Sequence, residues 1–254
     1  MSARTGQVSK SDDLHAAFSA LRDPQLGGPE LVPVRLAKAC ARVLPITGAG
    51  ISIFTAATLR IPVGASDDVA AAAERLQFSA AQGPCFDAQR TGRMIVATEP
   101  VIAKRWPVFH DRLIGQTPIR GVVAAPLRDR LAGVGALDLY FERSDDVLRI
   151  DLADVRSVAG YITEMLIEAQ LFPALQTGSL WEPDRWLGNP GVIGRSHVLM
   201  AIGMVSVALS LNLDDALAIL RGRAFVTDKT LDSVAYDVIK GELLIKELSP
   251  SSDR

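Results

Sequence analysis

The stretch GVVAAPLRDRLAGVGALDLYFE, residues 121–142, decides the fold of the first half of this chain. Gly121 to Leu127 and Gly133 to Glu142 read as two strands, and only the charged turn Arg128 to Arg130 and a few small residues separate them. A connection this short closes an antiparallel pair, whereas parallel neighbours need a crossover of a dozen residues or more. A doubly wound nucleotide-binding fold is thereby disfavoured, and the Gly133-Val134-Gly135 run has no phosphate-binding helix after it.

Working outward, Leu31 to Leu44 carries Leu36, Ala39, Cys40 and Val43 at helical spacing and is stopped by Pro45. Gly48 to Thr55 and Thr58 to Gly64 read as a strand pair. Asp67 to Phe78 is an alanine-rich helix with Ser66 or Asp67 as its N-cap, ending before the turn signal Gly83-Pro84. Met94 to Ala97 reads as a strand and Trp106 to Ile114 as a helix. The expectation is an α+β sandwich: an antiparallel sheet flanked by helices.

From Leu152 to Ala169, apolar residues at 152, 155, 159, 162, 166 and 169 alternate steps of three and four, the spacing of a dimerising seam or of a helix packed on its own sheet. Breaker residues from Pro173 to Gly191 mark a domain boundary. Beyond it lie three helices: one with Val198, Ile202, Val205 and Leu209 on a face, one capped by Asn212 with Asp215 three residues on, and one capped by Thr230. The organisation is then an N-terminal segment 1–29, a sensory domain 30–172, a linker 173–191 and an all-α bundle 192–248.

Composition bounds the function. With 254 residues, 48% hydrophobic and a net charge of -2, the chain has apolar material for a core but no field to gather nucleic acid non-specifically. Cys40 and Cys85 lack metal or disulfide spacing, His15, His110 and His197 are scattered, and no GxSxG, HExxH or Walker pattern occurs. Neither a cofactor, a metal nor catalysis is expected. The polar start and the lack of an uninterrupted apolar run of about 18 residues argue for a soluble, cytoplasmic protein with no membrane partner.

Gln82-Gly83-Pro84-Cys85-Phe86-Asp87-Ala88, Arg105-Trp106-Pro107-Val108-Phe109 and Gly133 to Tyr140 together resemble the actinobacterial GAF domains. Arg195 to Ile239, with Ala201-Ile202-Gly203-Met204-Val205, Asp215-Ala216, Leu220-Arg221, Ala224-Phe225 and Leu231 to Ala235, resembles an ANTAR domain. The resemblance implies a sensory GAF domain controlling a three-helix module that binds paired RNA hairpins in nascent transcripts and promotes transcription antitermination, as a homodimer. Loop bases suit such recognition because an A-form duplex hides its base edges. The family's usual glutamine and lysine are replaced by Met200 and Ile202.

The best cations for RNA are Arg195, Arg221, Arg223 and Lys229. From Gly191 to Leu248, six basic residues face seven acidic ones, so the alternative is a dimeric protein-interaction or sensory module with weak or lost RNA binding. For a small-molecule ligand in the GAF pocket the candidates are Phe54, Cys85, Trp106 and Tyr140, with core packing as their plainer role.

Overall fold

The computed structural model describes residues 9–21, 23–54, 60–169 and 188–248. The chain divides into two compact units, Met1–Gly191 and Val192–Arg254.

The first unit is built on five strands: β1 (Gly48–Phe54), β2 (Arg60–Ala65), β3 (Ile95–Thr98), β4 (Gly121–Pro126) and β5 (Gly135–Phe141). Their order is β2-β1-β5-β4-β3, every pairing antiparallel. β4 and β5 pair across the tight connection at residues 127–134, as the sequence leads one to expect. β1 and β5 are buried along their whole length, because helices cover both faces of the sheet. This is the expected α+β class, an antiparallel sheet flanked by helices.

α2 (Val32–Val43) and α7 (Leu152–Glu168) lie on one side of the sheet, against β1 and β2 and against β4. α3 (Asp68–Ala80) and α4 (Pro84–Thr91) cover the other, α3 on β1 and β2 and α4 on β4 and β5. Asp67 caps α3, accepting from the Ala70 N–H at 2.9 Å. α5 (Glu99–Arg105) and α6 (Pro107–Gln116) complete this layer, α6 packing on α3.

Three elements depart from the sequence reading. α1 (Lys10–Ala20) occupies the N-terminal segment, read as polar and assigned no element; Leu14 and Phe18 are buried and the helix packs on α2 and α7. Gly83-Pro84 starts α4 instead of merely turning the chain, since proline at the first helical position costs no hydrogen bond. The same device, Pro100, opens α5. Moreover, the α7 stripe is spent within its own unit: Val155, Ala159, Ile162 and Leu166 are buried and only Leu152 is exposed. Of the two roles the spacing allowed, the packing of the stripe within its own unit is the one these four residues take.

Most of the expected linker lies outside the described residues. At its end, buried Asn189 donates from Nδ2 to the carbonyls of Glu30 and Val63, at 2.7 and 2.8 Å, and accepts from the Gly191 N–H.

The second unit holds α8 (Pro190–Leu209, from Val192 on), α9 (Leu213–Val226) and α10 (Leu231–Lys240). Asn212 accepts from the Asp215 N–H at 2.8 Å and Thr230 from the Ser233 N–H at 3.1 Å, so both caps form where the sequence places them. Val198, Ala201, Ile202 and Val205 of α8 meet a core from Leu217, Leu220, Leu231, Val234 and Val238. Over Gly191–Leu209, α8 is long and apolar enough to cross a membrane by length and composition. The sequence reading passed it over because Arg195 and His197 interrupt the run.

Candidate functional site

On the face of the sheet under α3 and α4, alternation places Ser52 and Phe54 of β1, Asp138 and Tyr140 of β5 and Arg60 of β2 on one side. α3 supplies Glu74 and Gln77, three residues apart and therefore on one helix face. All these polar side chains are buried. The result is a charged cluster inside an otherwise apolar interface.

Arg60 is its centre. One guanidinium nitrogen, Nη1, donates to the Glu74 carbonyl at 2.8 Å. The other, Nη2, bridges the Glu74 carboxylate and Asp138 Oδ2, the latter at 3.1 Å. Glu74 also accepts from the Ser52 hydroxyl at 2.5 Å and from the Tyr140 hydroxyl. Gln77 donates to Asp138 Oδ2 at 2.9 Å and to the Tyr140 oxygen at 3.3 Å, while its Oε1 accepts from the Cys85 N–H at 3.1 Å. Gln77 thereby ties the sheet to the start of α4. Space for Glu74 requires a glycine below it: a Cβ on Gly50 would lie 2.1 Å from Glu74 Oε1. Gly83, at φ +149°, makes the backbone turn into α4 next to Gln77.

One guanidinium faces two carboxyls, and a buried cluster resists net charge. Burial foremost, and Glu74 next, push the Asp138 carboxyl well above the usual carboxylate range, with Arg60 opposing. Burial works against the Arg60 cation too, but its acidic neighbours outweigh that and hold it charged. Burial likewise raises the Cys85 thiol well above its ordinary range. Two polar atoms stay without a hydrogen-bond partner among the described residues, Arg60 Nε and Asp138 Oδ1.

Of the residues expected to line a pocket, Tyr140 belongs to this cluster and Cys85 touches it through its backbone. Cys85 sits in the first turn of α4, not in a loop, and packs with Phe54, Ala136 and Phe86. Phe54 meets the Phe86 ring edge-on, centroids 5.6 Å apart. Trp106 lies in the apolar cluster with Ile102, Phe109 and Leu113, its ring under the Arg105 guanidinium. Arg60, Glu74, Asp138, Ser52 and Gln77 were not singled out from sequence. The signal for two of them was a lone charge inside an apolar strand, Arg60 beside Ile61 and Asp138 between Leu137 and Leu139.

In the helical unit the four candidate cations separate. Arg195 is only 2% exposed and its Nη1 donates to both oxygens of Asp232 at 2.9 Å. Arg221 is largely buried; burial pulls it down to about 10, with Asp214 opposing and Arg195 adding to the fall. Lys229 pairs with Asp237 at 2.7 Å. Arg223 is half-exposed and has no carboxylate partner among the described residues. Ile202 is core, whereas Met200 is exposed. With Met200 stand Ile193, Met204 and Val207, all exposed, and His197, which meets the Tyr236 ring edge-on.

No protein-family model matches the chain, and no curated protein matches it. Among solved structures it is similar to the GAF domain from a phosphoenolpyruvate-protein phosphotransferase of Coxiella burnetii, at 11% identity and a TM-score of 0.46, over 65% of this chain and 95% of that one. It is similar also to free methionine-R-sulfoxide reductase from Neisseria meningitidis in complex with its substrate, at 14% identity and a TM-score of 0.40, over 66% and 97%. The GAF-like description of the first unit stands on its β2-β1-β5-β4-β3 antiparallel sheet and the helices that flank it.

Proposed function

We propose that the chain is a signal-responsive regulator, with the GAF-like unit as its input and the helical unit as an output that works by pairing with a second copy. The observation that carries this reading is the exposed stripe on α8. Ile193, His197, Met200, Met204 and Val207 alternate steps of four and three, which is the seam that a like helix fills knob into hole. The other face of α8 is engaged in the core of its own unit, so the helix is apolar on both sides for two different reasons. On the input side, Arg60 Nε and Asp138 Oδ1 are buried polar groups with no hydrogen-bond partner among the described residues, which a small polar ligand reaching the cluster would satisfy. No catalytic chemistry is assigned to either unit.

Sedimentation of the wild type and of Met200→Glu/Val207→Glu tests the output. A dimer that the double variant reduces to monomer supports the reading; a monomeric wild type at tens of micromolar overturns it.

Hairpin RNA, with antitermination as the outcome, is the second reading, and one observation favours it. Arg223 has no carboxylate partner among the described residues and Phe225, elsewhere on α9, is 64% exposed, so the helix offers a cation for a phosphate and an aromatic for an unstacked loop base. A gel-shift titration against randomised double-hairpin RNAs at two salt concentrations, with Arg223→Ala/Phe225→Ala as the control, decides it. Enrichment of a loop motif that the variant loses supports RNA as the partner; no enrichment by a folded wild type removes it.

A further inference from the structure

Away from the Arg60 cluster, a cavity of about 570 Å³ opens where the turn after α4, the β4–β5 connection and the first half of α7 meet. Arg93, Arg128 and Arg156 line it, one from each of these three elements. None of the three guanidiniums has a hydrogen bond or ion pair among the described residues, whereas Arg90 and Arg105 share Asp87, and Arg143 and Arg149 share Asp146. Asp129 is the single carboxylate on the wall, so three positive charges against one leave about +2. The neighbouring recess shares Arg128 and Arg156 but balances them with Asp12 and Glu164, leaving His15 aside. Positive charge is therefore concentrated on one side of the Arg128–Arg156 pair.

Gly92 and Gly133 give the cavity a floor without side chains, and Met94, Pro126 and Leu152 give it an apolar wall. Leu152 is the exposed member of the α7 stripe.

We propose that this cavity binds a small phosphorylated molecule, the phosphoryl oxygens on Arg128, Arg156 and Arg93 and an apolar portion against Met94 and Leu152. Guanidinium forks match phosphate oxygens, and each charge-assisted bond in a recess excludes water that would otherwise screen it. The volume suits a small molecule rather than a polymer, which would need cations spread along a groove. This inference is independent of the ligand read into the Arg60 cluster, which lies under α3 and holds no free cation for phosphate.

Calorimetric titration of the full chain with inorganic phosphate and with phenyl phosphate tests it, using Arg128→Gln/Arg156→Gln and, as a surface-charge control, Arg143→Gln. The expected result is saturable binding that weakens roughly tenfold or more in the double variant and is unchanged in the control. Phenyl phosphate should bind more tightly than inorganic phosphate if the apolar wall takes part. Absence of saturable binding at millimolar concentration overturns the proposal, and so does an equal loss in the control. Binding of a short single-stranded RNA, but of neither small phosphate, with the same sensitivity to the double variant would show a polymer site and overturn it as well.

Discussion

Replacing Asp138 by asparagine keeps the shape of the Arg60 cluster and removes its excess acid. The side-chain carbonyl can accept from Arg60 and Gln77 as Asp138 Oδ2 does, and the amide nitrogen takes the place of the unpartnered Oδ1. In the wild type the folded carboxyl keeps a proton that an unfolded aspartate, at the ordinary value of 3.8, has already released. The unfolded state then binds fewer protons than the folded one, so stability is fully present below that value and is lost as pH rises toward the folded one. The loss is at most about 1.4 kcal/mol per pH unit. Urea unfolding of both proteins at about pH 5 and about pH 7 measures it. Asp138→Asn should gain on the wild type by up to about 2.7 kcal/mol across that interval. Parallel pH profiles would refute the assignment of a proton to Asp138 and, with it, the charge count of one guanidinium against two carboxyls.

Burial pushes the Cys40 thiol up to about 12 and Cys85 well above its ordinary range, so neither should react with a disulfide reagent at about pH 8 until the chain is unfolded, when both should. Asp232→Ala removes the carboxylate that accepts twice from the buried Arg195 guanidinium; because Asp232 is about one-third exposed and water can enter, the expected cost is about 2 kcal/mol in thermal or urea unfolding. Gly50→Ala should cost about 1 to 3 kcal/mol by forcing Glu74 away from Ser52 and Tyr140, whereas the same change at Gly92, where a Cβ meets nothing, should cost only its left-handed backbone penalty.

What was legible in the sequence was local. The caps at Asp67, Asn212 and Thr230 act within three residues, and the tight connection between β4 and β5 fixes their pairing without reference to the rest of the chain. α4 and α5 were legible in principle, since a proline followed by a helix-permitting run reads as a start as well as a stop. The use of the α7 stripe was not, because the same spacing serves a partner helix or the molecule's own sheet, and only the position of α1 and α2 decides between them. Nor was the Arg60 cluster: a charge in an apolar strand announces an anomaly, but its partners follow from the register that sets Gly50 against Asp138 and from α3 crossing above them. In the helical unit, Arg195 and Lys229 looked alike as charges and differ because one faces the core and the other solvent.

Asn189 has a further consequence. Its amide grips the Val63 carbonyl, and Val63 lies three residues along β2 from Arg60. The same side chain holds the Glu30 carbonyl, so one amide ties β2 to the segment just before α2. One asparagine thus acts as a rivet inside the first unit, and Asn189→Ala would deprive the Glu30 and Val63 carbonyls of the same donor at once.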